Sequence, residues 1–257
     1  MIDLHSHVLP GIDDGVRTLE ASIELLRAAR EDGIERIAAT PHVREDYPTS
    51  PGEMERLVGE VNAAARAAGA GVEVLAGGEL DLAFAARLED GDLRRFGLGG
   101  NPSLLLLEFP YLGWPLQLPD LVFTLQVRGF RVLIAHPERN ADVQADPELL
   151  RPIVDAGALV QVTAASLDGR LGGRLRSAGM KLVEEGLAHL IASDAHAPDV
   201  RSAGMGAAAR AVDDEALARW LTSDVPSALV AGRPLPARPQ TARGWLRGAR
   251  RGRLRSS

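Results

Sequence analysis

Histidines and carboxylates carry most of the chemical potential in this sequence, and they fall in short spaced groups. His5-Ser6-His7 is followed closely by Asp13-Asp14-Gly15. Further along come Thr40-Pro41-His42, Gly77-Gly78-Glu79, Leu107-Glu108, Ala135-His136-Pro137-Glu138-Arg139 and Ser193-Asp194-Ala195-His196. Imidazole and carboxylate together suit Zn, Mn or Fe. Several carboxylates among nine candidate ligands favour a hard, multinuclear site over a lone structural zinc. The nine are His5, His7, Asp14, His42, Glu79, Glu108, His136, Asp194 and His196. Each fragment alone has a plainer reading. Asp13-Asp14-Gly15 is a good turn, and Glu108 could be a buried acid in an ion pair. His189 has no partners nearby in sequence and reads as a partly solvated polar residue. Their joint placement argues for chemistry.

That placement depends on the elements between them. Short apolar runs at 1–5, 34–40, 72–76, 103–109, 131–135, 158–163 and 187–192 read as strands. Helical stretches alternate with them, the first at 19–31 with Thr18 as N-cap and the second at 53–68. Nearly continuous apolar strands separated by helices imply a parallel sheet covered on its outer face. At 257 residues the expected closure is a seven-stranded α/β barrel. Chemistry in such barrels sits at the carboxyl ends of the strands. Five of the six histidines lie there. A His-x-His pair ending a strand also puts both rings on one face, because strand side chains alternate.

Composition narrows the function further. The chain has no cysteine, which excludes disulfides, thiolate metal sites and a cysteine nucleophile. Aromatic residues are 4%, too few for a base-stacking platform, so no specific nucleic-acid partner is expected. No apolar run reaches membrane-spanning length, and the N-terminus lacks a secretory pattern, so the cytoplasm is the expected compartment. Residues 233–257 carry eight arginines and no acid, against 21 basic and 35 acidic residues in the first 232. This divides the chain into a catalytic domain at 1–232 and a basic extension at 233–257, expected to be disordered and able to contact anionic surfaces.

At the quoted motifs the chain resembles the polymerase-and-histidinol-phosphatase (PHP) superfamily. It is most similar there to the bacterial metal-dependent tyrosine phosphatases of the CpsB/CapC type. The resemblance runs in order from residue 1 to about 231. It rests on Asp3-Leu4-His5-Ser6-His7, Gly11-Ile12-Asp13-Asp14-Gly15, Ala39-Thr40-Pro41-His42, Gly78-Glu79, Leu107-Glu108, His136-Pro137-Glu138-Arg139 and Ser193-Asp194-Ala195-His196. It implies the PHP fold, a distorted seven-stranded (β/α)7 TIM-like barrel, holding three divalent ions. Manganese is the expected ion, with Fe, Zn, Co or Mg as alternatives. His5, His7, Glu79 and Asp194 would bind the first ion, Glu79, Glu108 and His136 the second, and Asp14, His42 and His196 the third. Arg139 and Arg201 match the positions that hold the substrate phosphate.

The implied reaction is phosphoric monoester hydrolysis of phosphotyrosine by a hydroxide bridging two metals. The implied substrate is a tyrosine autokinase controlling capsule or exopolysaccharide export. Metal coordination brings the pKa of water to about 7, and a planar guanidinium suits phosphate. The phenolate leaving group has a pKa of about 10 and needs little proton assistance. His42, Asp14 or a metal-bound water could give that proton, and the residues do not decide between them. Rival readings are histidinol-phosphate phosphatase, a TatD-type nuclease and an inactive scaffold. An amidohydrolase with a carboxylated lysine is disfavoured, because the one lysine, Lys181, falls within a helical stretch.

Overall fold

The apolar runs become strands, and two of the seven are followed by short extra strands near the end that carries chemistry. The computed structural model describes residues 1–108, 110–197 and 204–240. Within them lie β1 (Ile2–Ser6), β2 (Arg36–Ala39), β3 (His42–Val43), β4 (Glu73–Leu75) and β5 (Glu79–Asp81). β6 (Leu104–Glu108), β7 (Arg131–Ile134), β8 (Leu159–Thr163) and β9 (Leu190–Ala192) follow. All strand pairings are parallel. β1, β2 and β4 form one sheet, and β3-β5-β6-β7-β8-β9 form a six-stranded one that curls as a half-barrel.

The fold is therefore α/β with a curled parallel sheet, but a simple ring of seven strands is not what the hydrogen bonds describe. Past the expected second strand the chain adds β3 after Thr40-Pro41, and past the third it adds β5 after Ala76-Gly77-Gly78. Pro41 has no N–H for a ladder. Gly78 lets the chain pass Phe96: a Cβ there would come 2.7 Å from the ring. After each break the chain moves from the small sheet to the large one. The two sheets also meet between β1 and β9, where His7 N–H donates to Ala195 O and Asp194 N–H to His5 O, both at 2.8 Å.

Both faces of the strands are covered. Leu104–Leu107 in β6 and all of β8 are buried, which is why these strands read as unbroken apolar runs. The helix Leu19–Glu31 is capped by Thr18, whose hydroxyl accepts from Ala21 N–H at 3.2 Å, and it buries Ile23, Leu25, Leu26 and Ala29. The second helix, Pro51–Ala67, starts two residues earlier than its apolar pattern suggests, because Ser50 caps it and Pro51 opens the first turn. No helix among the described residues is long and apolar enough to cross a membrane.

The basic extension does not separate from the barrel at residue 233. Leu235 packs on the core. The Trp220 indole N–H donates to Pro236 O at 3.0 Å, and Arg238 donates to Ala188 O and Val183 O, both at 2.7 Å. These contacts tie 233–240 down despite its proline-rich, basic composition, so the expected disorder does not hold there. The rest of the expected disordered extension, residues 241–257, lies outside the described residues.

Candidate metal centre

The ends of β1, β3, β5, β6, β7 and β9 bring all nine candidate ligands together. β1 delivers His5 and His7, and a bulge between Asp3 and Ser6 adjusts its register against β2. The loop after β1 returns to the site at Asp14. Gly15 makes that possible: a Cβ there would lie 2.2 Å from His7 O. β3 starts at His42 and β5 at Glu79, so each short strand carries its ligand at its first residue. β6 ends at Glu108. His136 and Asp194 follow β7 and β9 in left-handed backbone, at φ 34° and 52°. Of three non-glycine residues with positive φ among those described, two are in this cluster. Such strain costs about 1–3 kcal/mol and persists where a site requires it.

Four overlapping groups have ligand atoms within 4.8 Å of one another: His7-Asp14-His42-His196, His5-Glu79-His136, His5-His7-Asp194 and His42-Glu79-Glu108. The separations themselves are informative. His5 Nε2 is 3.4 Å from Glu79 Oε1 and 3.5 Å from Asp194 Oδ1. His7 Nε2 is 3.4 Å from both Glu79 Oε2 and Asp194 Oδ1. His42 Nε2 and His196 Nε2 are 3.4 and 3.3 Å from Asp14 Oδ1. Good charged hydrogen bonds are shorter, roughly 2.7–2.9 Å. Ligands about 2.1 Å from a common ion stand about 3.0–3.4 Å apart along an octahedral or tetrahedral edge. Buried His5 Nε2, His7 Nε2, His42 Nδ1 and Glu79 Oε2 have no hydrogen-bond partner. Buried polar atoms are rarely left so, and cations would satisfy them. The donor set therefore fits divalent metal.

Two residues outside the expected set fix the rings. Gln161 Oε1 accepts His136 N–H at 3.2 Å and lies 3.1 Å from His5 Nδ1. The backbone donor identifies that atom as oxygen, so His5 carries its proton on Nδ1 and turns the Nε2 lone pair inward. Asp13 does the same for His7, with Oδ2 2.7 Å from Nδ1. It also accepts His42 N–H at 3.0 Å and Gly15 N–H at 3.0 Å. A glutamine in the fully buried Leu-Val-Gln-Val-Thr strand, and the first acid of an Asp-Asp-Gly turn, were the available signals.

The charges respond to this crowding. Burial works against ionised Glu79, but the surrounding imidazoles of His5, His136 and His42 hold it well below its ordinary value. Burial and the Glu79 charge push Glu108 up to about 7. Burial, with Arg139 nearby, lowers His136 to about 4. The His196 and His42 imidazoles beside it keep Asp14 far below the carboxylate range. Arg139 reaches the edge of the cluster, where Nη2 donates to Asp194 Oδ2 and, at 3.2 Å, to Thr163 Oγ1. Arg201 lies outside the described residues. His189 is remote from the cluster, its Nδ1 accepting Val160 N–H at 3.2 Å. Glu138 is buried against Thr163 N–H and the Ser166 hydroxyl, at 2.9 and 2.8 Å, and braces the His136–Arg139 loop.

Comparison with known proteins gives the same direction. The chain is 36% identical over 197 residues to the tyrosine-protein phosphatase YwqE of Bacillus subtilis, covering 76% of this chain and 77% of that protein. It is 34% identical over 198 residues to the putative tyrosine-protein phosphatase CapC of Staphylococcus aureus, covering 76% and 77%. Its fold matches a structure described as YwqE from Bacillus subtilis and CpsB from Streptococcus pneumoniae, unique metal-dependent tyrosine phosphatases. That match has a TM-score of 0.83 at 31% identity and covers 94% of this chain and all of the other. The family model described as "Capsular polysaccharide synthesis, CpsB/CapC" matches residues 1–227, and the chain belongs to that family.

Proposed function

We propose that this chain is a metal-dependent tyrosine-protein phosphatase. The observation that carries the reading is the set of 3.3–3.5 Å imidazole–carboxylate separations around buried atoms that lack hydrogen-bond partners. His5, His7, Glu79 and Asp194 would hold one ion, Glu79, Glu108 and His136 a second, and Asp14, His42 and His196 a third. The overlapping groups support this division, since Glu79 faces His5, His7, His42 and His136 at once. Manganese is the proposed ion. The barrel is read as seven-stranded, with β3 and β5 continuing β2 and β4.

Bound divalent ions would supply water acidified to a pKa of about 7 and positive charge against the phosphate. The chain's own groups do the rest. Gln161 and Asp13 keep the His5 and His7 lone pairs aimed inward. Arg139 fixes Asp194 and places a guanidinium edge where a phosphate oxygen can be clamped, and Arg201 is assigned the matching role. As a proposed metal ligand Asp14 would be ionised, which makes it a poor proton donor near neutrality. A phenolate leaving group, with a pKa of about 10, makes little demand for one. The physiological substrate is proposed to be a tyrosine autokinase of capsule or exopolysaccharide synthesis, acting in the cytoplasm.

Side-by-side assay of a phosphotyrosine peptide, histidinol phosphate and single-stranded DNA, with manganese and with EDTA, tests this. The reading requires metal-dependent release of phosphate from the peptide in clear preference to the other two. Turnover favouring histidinol phosphate or DNA would replace it.

A further inference from the structure

The chain has only two tyrosines, Tyr47 and Tyr111, and both stand beside the cluster. Tyr47 stacks on His42, with ring centroids 5.8 Å apart and planes 20° apart. Tyr111 lies 6.1 Å from the His136 ring. His42 and His136 contact opposite oxygens of Glu79, Oε2 at 3.0 Å and Oε1 at 2.9 Å. Each tyrosine therefore stands against a histidine that contacts Glu79. The arrangement repeats at Glu108. Arg44 Nη1 donates to its Oε2 at 3.3 Å, and the Tyr111 hydroxyl donates to its Oε1 at 3.5 Å.

Both rings are held by backbone built for the purpose. Arg44 and Tyr47 exchange N–H···O bonds at 3.1 Å in a tight turn, and the Arg44 guanidinium sits 5.3 Å over the Tyr47 ring. At the second ring, Ala141 N–H donates to Tyr111 O at 2.8 Å. The Asn140 amide donates to Pro110 O and Gly113 O at 2.7 and 3.1 Å. Asn140 directly follows Arg139, so the segment carrying Tyr111 is fastened to the one expected to clamp phosphate. Tyr111 remains 48% exposed. A large, half-open aromatic face held rigid beside a polar cluster is a recognition surface with little ordering cost.

We propose that Tyr47 and Tyr111 form an aromatic mouth that selects the aryl ring of an arylphosphate, making them specificity-determining residues for the reaction above. The inference rests on the phosphatase reading and goes beyond it by placing the recognition of the phenol in two named side chains. The polar cluster can bind any phosphomonoester; the rings favour one whose ester oxygen is attached to an aromatic group, through offset or edge-to-face contact.

Calorimetric binding of phenylphosphonate and methylphosphonate to the manganese-loaded protein tests this without turnover, since the two share one anionic group. The wild-type chain should prefer phenylphosphonate. Tyr111→Leu should weaken phenylphosphonate about tenfold, the size of one aromatic contact, and leave methylphosphonate unchanged. Tyr111→Phe should retain the preference, because the ring and not the hydroxyl carries it. Tyr47→Leu should act in the same direction with metal content preserved. Equal binding of the two phosphonates by the wild type, or equal losses for both in Tyr111→Leu, overturns the aromatic mouth and leaves the phosphatase reading standing. Binding of neither phosphonate, with no hydrolysis of phosphotyrosine peptide, overturns both.

Discussion

Replacing Asp13 with asparagine isolates how the centre is held, because Asp13 touches His7 without belonging to the nine proposed ligands. Its carboxylate accepts three protons: from His7 Nδ1 at 2.7 Å, from His42 N–H at 3.0 Å and from Gly15 N–H at 3.0 Å. Asparagine has almost the same shape but one oxygen. If that oxygen faces His7 and His42, the amide NH2 points at Gly15 N–H. If it faces Gly15, the NH2 meets both other donors, and His7 must move its proton to Nε2, where a metal would bind. The first arrangement is favoured and still leaves one buried donor unsatisfied, at a cost of about 1–3 kcal/mol. Loss of the negative charge also reduces the basicity of His7. Together these predict metal affinity lower by about 10–100-fold. Calorimetric titration of EDTA-stripped Asp13→Asn with manganese reads this directly. Nitrogen NMR of the metal-free proteins reports whether His7 keeps its proton on Nδ1. Wild-type affinity together with an unchanged His7 tautomer would refute the argument that Asp13 orients the ring.

Gly15→Ala should be more damaging than its size suggests. Its Cβ would lie 2.2 Å from His7 O and 2.5 Å from His7 Cβ, both rigid neighbours, so metal binding should fall and stability drop by about 1–3 kcal/mol or more in urea unfolding. Glu79→Gln should lose at least one bound ion by elemental analysis together with phosphatase activity, since Glu79 belongs to two of the four ligand groups. His189 gives a pH prediction away from the centre. Burial and the Arg238 charge lower it to about 4 in the folded chain, against about 6.5 unfolded. The unfolded chain then binds the extra proton between those values, so this contribution is complete above pH 6.5 and is lost as pH falls toward 4. The loss is about 3 kcal/mol. Between pH 6.5 and 4 in EDTA, His189→Gln should lose about that much less stability than the wild type. Parallel losses would contradict the assignment.

The sequence displayed the centre better than the sheet around it. Imidazoles and acids at strand ends are legible because each sits just after an apolar run, and the run marks its position on the barrel. The breaks at Thr40-Pro41 and Gly77-Gly78 were visible as residues but not as a sheet change, because switching sheets depends on what packs alongside, such as Phe96 under Gly78. Gln161 was missed because it lies inside an apolar strand, where composition signals only a core. The 233–240 segment was misread for the opposite reason. Its prolines and arginines suggest a solvated chain, yet Arg238 reaches the carbonyls of Val183 and Ala188 near the end of the helix Gly173–Glu184. Tyr47 and Tyr111 carried no pattern at all, since their position follows from the loops that bring them back to the cluster.

Anomalous diffraction from crystals of the manganese-loaded chain would locate the ions among the nine side chains. Peaks are expected enclosed by His5, His7, Glu79 and Asp194, by Glu79, Glu108 and His136, and by Asp14, His42 and His196. An active, manganese-loaded protein whose peaks lie elsewhere, with these nine side chains free of metal, would contradict that expectation.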